Sequence, residues 1–218
     1  MKLSALAKAT GTSIASIKYY LRVGLISPGA KRNQTTAVYD DTHVERLELI
    51  GALRQLVGLS IEQIGILTAV IDDPDASILE VMQTAQILGG GMPLPATEPA
   101  TKSATGPDPH PTVAEERISA LIAAQGWPDT QSAARTAAIS VVAEMQGLGL
   151  EVSEEYLKTV GAAVDMISES ELNVSGSRDR VAMHVAVGTF QYSRLVLALL
   201  QLGQASHSIA RAGRASPR

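Results

Sequence analysis

Residues 3–29 read LSALAKATGTSIASIKYYLRVGLISPG, and residues 38–64 read VYDDTHVERLELIGALRQLVGLSIEQI. In the first stretch Leu3, Leu6 and Ala7 place apolar groups on one side of a short helix. Gly11 offers the open backbone angles of a turn, and Ser13 can cap a second helix carrying Ile14, Ile17 and Leu21. Two short helices joined by a glycine turn make a helix-turn-helix. After Gly24, the turn formers Pro28 and Gly29 and the β-compatible pieces leading to Tyr39 predict a small wing. In the second stretch a third helix starts at Asp41 or Thr42, where Thr42-His-Val-Glu45 fits a capping box, and Val44, Leu47, Ile50, Leu53 and Val57 follow at helical spacing. Ser60-Ile-Glu-Gln63 repeats that signal, predicting a fourth helix that buries Ile61, Ile64, Leu67 and Ile71 before the Asp72-Asp-Pro-Asp75 break.

Charge follows the same division. Between Met1 and Tyr39 stand Lys2, Lys8, Lys18, Arg22, Lys31 and Arg32 with no acidic residue, whereas residues 40–106 are predominantly acidic. A basic head on an acidic body points to a localised surface for a polyanion, the alternative being an ordinary solvated face. The whole chain has 218 residues, 45% of them apolar and 18% charged, which excludes a wholly disordered protein. It has no cysteine, which excludes thiolate metal sites, iron–sulfur clusters, disulfides and cysteine nucleophiles. The start of the chain lacks the apolar core of a signal peptide, and no uninterrupted apolar run is long enough to span a bilayer, so a cytoplasmic protein without a membrane partner is expected.

Several features in fixed order carry a resemblance: the turn Thr10-Gly11-Thr12-Ser13, the run Ile17-Lys-Tyr-Tyr20, Arg22-Val-Gly-Leu-Ile26, Tyr39 closing the wing, and Leu53-Arg54 before Gly58-Leu-Ser60. Over about the first third of the chain they resemble the DNA-binding domain of MerR-family transcriptional regulators, in the form met in actinobacteria. A recognition helix presents its first residues to base edges in the major groove, which makes Ala15, Ser16 and Lys18 the readers. Tyr19 and Arg22 reach flanking phosphates, Ser13 and the free amides beside it suit another, and Lys31 and Arg32 grip backbone from the wing. Tyr20 is either a DNA contact or a member of the small core, Tyr39 is either a DNA contact or purely a wing strand residue, and Ser13 also serves as a plain helix cap. The resemblance implies a homodimer on a near-palindromic promoter, activation by distorting an overlong spacer for RNA polymerase, and no enzymatic activity. This sequence departs from the family at Thr35, Thr36 and Ala37, where a glycine, an aromatic residue and an arginine are usual, and at Leu21, where an acidic residue is usual. Only residues 76–88 stand where the family has a long subunit-pairing helix.

The expected fold is mainly α, a winged helix-turn-helix domain followed by an all-helical domain. The domains read as 1–73 for DNA binding, 74–88 as a short helix available for dimerisation, 89–111 as a Gly/Pro-rich linker, 112–212 as a helical effector or dimerisation domain, and 213–218 as a tail. Helices are predicted over 112–124, 130–146, 153–172 and 177–211, and the last is apolar around nearly its whole circumference. Packing of 153–172 against 177–211 would enclose a pocket for a small apolar organic effector, with Trp127, Tyr156, Met166, His184, Phe190 and Tyr192 as candidate lining residues. The competing expectation is that these side chains are core, or that the domain docks a protein partner and senses no small molecule. No metal and no cofactor is expected, since His43, His110, His184 and His207 are scattered. No phosphate loop, serine elbow or paired-histidine motif points to catalysis.

Overall fold

The computed structural model describes residues 1–31, 37–91, 112–171 and 174–215. Helix α1 (Leu3–Thr10) ends at Gly11, whose φ of 64° turns the chain into α2 (Ile14–Arg22). Ser13 caps α2 by accepting the Ser16 N–H at 3.0 Å. Leu6 and Ile17 are fully buried and join the two helices to the core of the head. Strands β1 (Ala30–Lys31) and β2 (Ala37–Val38) pair antiparallel, with Ala30 opposite Val38, and form the base of the wing. The positions Arg32, Thr35 and Thr36 lie outside the described residues.

The cap of α3 (Asp41–Ala52) differs from the expected Thr42–Glu45 box. Asp40 is the N-cap, accepting from Thr42 N at 3.1 Å, and His43 Nδ1 lies 3.2 Å from the Asp40 N–H. A carboxylate placed before the helix is a stronger acceptor than the threonine hydroxyl, and it moves the box upstream. The Thr42 hydroxyl and His43 hold the Asp40 carboxyl well below the usual carboxylate range. A π-helical turn, Leu53–Val57, follows and ends at Gly58. Helix α4 (Ile61–Asp72) has the expected Ser60–Gln63 capping box, and α5 (Ile78–Gly89) has a Ser77–Glu80 box.

The remaining helices are α6 (Val113–Gln125), α7 (Ala133–Gly147), α8 (Glu154–Glu171) and α9 (Arg178–Ala215). The chain separates into two units, Met1–Gly91 with Val174–Arg218, and Met92–Asn173. Helix α9 thus belongs with the head, whereas the sequence grouped 112–212 as one domain. Two causes lie outside any periodicity. Small residues Ala182 and Ala186 of α9 and Ala85 and Gly89 of α5 are all buried where these helices cross, and a Cβ on Gly89 would stand 2.3 Å from the Ala186 carbonyl oxygen. Arg46 of α3, only 9% exposed, donates to Leu25 O at 3.2 Å, to Asp72 at 3.0 Å, and to Asp179 of α9. Burial opposes the Arg46 charge, and Asp72 and Asp179 outweigh that and keep it protonated. Arg178 adds donors to Val70 O and Ala76 O, each at 2.9 Å, which fixes the start of α9 on the end of α4.

Beyond the crossing α9 is exposed. The stretch Arg178–Ala212 has a mean hydropathy of 1.3 in its most apolar window and is long and apolar enough, by length and composition alone, to cross a membrane. Gln191, Arg194 and Gln201 interrupt the apolar residues, so no uninterrupted apolar run spans this stretch.

The unit spanning 92–173 has a thin core of Ala114, Ile118 and Val142, with Ile122, Ala138 and Ile139 against it. Polar ties supplement it: Trp127 Nε1 donates to Asp165 at 2.6 Å, and Arg135 donates to Asp129 at 2.9 Å and Ser119 at 3.0 Å. The linker expected at 89–111 falls almost entirely outside the described residues.

Candidate nucleic-acid interface

The outward face of α2 is built by alternation of roles along one short helix. Ile17 points into the core, while Ala15, Lys18, Tyr19 and Arg22 are exposed and Ser16 and Tyr20 are half-buried. Ser13 and Ser16 hydroxyls lie 2.8 Å apart at the helix start, so the cap also orders the Ser16 side chain. The Arg22 guanidinium lies 5.4 Å from the centre of the Tyr19 ring, a cation–π contact that holds both side chains at one end of the face. Tyr20 leans against Tyr19 with ring centres 5.8 Å apart. Among the described residues no carboxylate pairs with Lys18, Arg22 or Lys31, so their charge is available to an outside anion.

Among the described members of the predicted set, Tyr39 is the one withdrawn from the surface. It is 6% exposed, its ring meets His43 edge-on at 5.1 Å, and its N–H donates to Met1 O at 2.8 Å. The N-terminal ammonium donates in return to Tyr39 O, which ties the first residue to the base of the wing. Arg32 lies outside the described residues.

A cleft of about 460 Å3 runs from the turn, Thr10 to Ser13, to Glu48, Arg54 and Gln55. Arg54 is a cation of this cleft to which the sequence alone assigns no role. It is exposed and donates to Leu59 O at 3.4 Å, across the bend that follows the π-helical turn. Its signal was present as one of very few basic residues in the acidic stretch after Asp40.

The six effector candidates divide between the two units. Trp127, Tyr156 and Met166 belong to 92–173, and His184, Phe190 and Tyr192 belong to α9. Tyr156 and Met166 are exposed, as are His184 and Tyr192, while Phe190 is half-buried under Arg194 at 5.1 Å. Among the described residues no three His, Cys, Asp or Glu side chains gather at metal-binding distance.

Helix, glycine turn, capped second helix and two-stranded wing with a basic outer face together define a winged helix-turn-helix protein. The profile of MerR HTH family regulatory proteins matches residues 1–69. A Haemophilus influenzae protein named "Probable heavy metal-dependent transcriptional regulator" is 38% identical over 87 residues, which cover 39% of this chain and 67% of that one. The chain belongs to the MerR family. The HTH-type transcriptional regulator AdhR of Bacillus subtilis is 32% identical over 78 residues, 36% of this chain and 55% of AdhR, and a ZntR homolog from H. influenzae is 39% identical over 56 residues, 26% of this chain and 42% of that protein. The chain thus spans about half the length of these curated relatives. A crystal structure of the candidate transcriptional regulator SCO5550 from Streptomyces coelicolor A3(2) is similar along 98% of both chains, with a TM-score of 0.69 and 25% identity.

Proposed function

We propose that this chain regulates transcription by binding double-stranded DNA as a homodimer on a near-palindromic promoter element. The observation that carries the reading is the carboxylate-free cationic face of α2, Lys18 with Tyr19 and Arg22 beside the Ser13 cap. In this reading Ala15, Ser16 and Lys18 meet base edges, Tyr19, Tyr20, Arg22 and Ser13 meet phosphates, and Lys31 with Arg32 grips backbone at the wing. Deformation of the bound promoter then presents it to RNA polymerase. Such a protein works in the cytoplasm.

Dimerisation is supported by α9. Tyr192, Leu195, Leu199, Leu202 and Ile209 recur at alternating three- and four-residue spacing, with Ser206 in the same series, and each of the five is at least half exposed. That spacing is the seam of a coiled coil, and a second copy of α9 would cover it. The unit spanning 92–173 then serves as the sensor of a small organic effector, because a chain without cysteine offers oxygen, nitrogen and apolar contacts rather than thiolates. A second reading, docking of a protein partner by this unit, is favoured by Leu148 and Met166, each 77% exposed.

Selection of duplexes from a random pool by the full chain tests the proposal, with sedimentation of the same sample. The expected result is an inverted repeat bound by a dimer, and a Leu195→Glu, Leu199→Glu variant that sediments as a monomer and binds duplex weakly. Failure to enrich any duplex overturns DNA recognition. A double variant that remains dimeric overturns the α9 seam, as does recovery of the native chain with lipid vesicles.

A further inference from the structure

In the unit spanning 92–173, α6 and α8 border a groove of about 350 Å3, at the lower end of the range usual for small-molecule sites. Its apolar wall is Val113, Ala120, Leu121 and Leu157, and the charged groups around it are Glu116, Arg117, Glu154 and Lys158. Beside the groove the helices approach closely at Gly161, where a Cβ would lie 2.5 Å from Leu121 Cδ1 and 3.1 Å from Gln125 Nε2. The absence of a side chain there lets Leu121 lie down against α8 and contribute to the apolar wall. Arg117 is half-buried, and its Nη1 donates to Val152 O at 2.9 Å. That bond anchors the guanidinium and leaves other N–H donors of its fork without a protein partner among the described residues. Lys158 is exposed and forms no ion pair with Glu154 or Glu116.

From this arrangement we infer that the groove binds a monocarboxylate with an apolar body, Arg117 and Lys158 taking the carboxylate and the leucine-lined wall taking the hydrocarbon. An anchored guanidinium fork matches a carboxylate in shape and charge. Glu116 and Glu154 limit the ligand to one negative charge, because a polyphosphate or dicarboxylate would bring further charge against them. The inference rests on reading 92–173 as the sensing unit, and it names the site and the ligand class within that reading.

Trp127 is the only tryptophan in the chain, and its bond to Asp165 makes its emission a reporter of α8. The full chain is titrated with sodium decanoate below micelle formation and, in parallel, with 1-decanol, while emission and affinity for a selected duplex are both followed. The expected result is a saturable response to decanoate, with decanol binding weaker by roughly tenfold or more. Lys158→Glu lowers decanoate affinity by a similar factor, and Ala120→Phe, at an exposed position within the groove, abolishes the response without lowering the melting temperature. Equal binding of decanoate and decanol overturns the inference, as does an Ala120→Phe variant that responds like the native chain. If decanoate binds as described but duplex affinity stays constant, the site stands and the sensing role falls. If decanoate gives no saturable response while another small molecule shifts duplex affinity, the sensing role stands and the site is overturned.

Discussion

Gly89→Ala is the sharpest perturbation of the joint between the head and its long helix. The added Cβ would lie 2.3 Å from Ala186 O and 2.9 Å from the Ala186 C and Cα atoms. All three are backbone atoms of α9, so no rotamer change relieves the clash, and reaching ordinary contact requires the helices to part by roughly 1 Å. Overpacking of this kind costs about 1–3 kcal/mol, and removing a helical glycine returns about 0.5–1 kcal/mol, which leaves a net loss of up to about 2.5 kcal/mol. Gly51→Ala supplies the control, since a Cβ there meets nothing within 4 Å. It is expected to stabilise by about 0.4–1 kcal/mol through the unfolded chain. Urea unfolding followed by far-ultraviolet circular dichroism measures both, while Trp127 emission follows the other unit and should be unchanged. A Gly89→Ala midpoint equal to or above that of the native chain would refute the close crossing.

Three further outcomes are expected. Arg46→Met leaves Asp72 and Asp179 without their shared cation, and because the Asp72 side chain is 57% exposed the loss is about 2 kcal/mol, below the range for a fully buried pair, again read by urea unfolding. Lys18→Ala lowers affinity for the selected duplex by about 1–3 kcal/mol and flattens its preference over a base-substituted one, measured by fluorescence anisotropy. Folding lowers the carboxyls of Asp40, Glu80 and Glu115, the first mainly through the Thr42 hydroxyl and the others through the Ser77 and Thr112 backbone N–H groups. Their contribution is therefore complete above the unfolded carboxylate values of about 3.9–4.3 and is lost as pH falls through and below them. Helicity during acid titration should decline in that window, and Glu80→Gln with Glu115→Gln should shrink the change.

What the sequence disclosed was local. Ser13, Ser60 and Gln63 act within one helical turn of their partners, so their roles follow from spacing alone, and the expected helices after residue 112 lie within a few residues of those observed. The Asp40 box was misplaced because two adjacent acceptors, Asp40 and Thr42, compete for the same amides and only geometry decides between them. The affiliation of α9 was hidden for a different reason. Arg46 and Asp179 are 133 positions apart, and neither the pairing nor the Gly89–Ala186 approach leaves a periodic trace. Tyr39 reads as a wing residue because it directly follows the β-compatible pair Ala37–Val38, and its burial depends on His43 of the next helix.

If the free cations of α2 and the wing neutralise phosphates of a duplex, binding depends on salt. The affinity of the full chain should fall linearly on logarithmic axes as salt rises, and Arg22→Ala should reduce that slope by about 1 for every duplex tested. A chain that ignores duplex DNA in dilute buffer, or an Arg22→Ala variant with the native slope, would contradict the account.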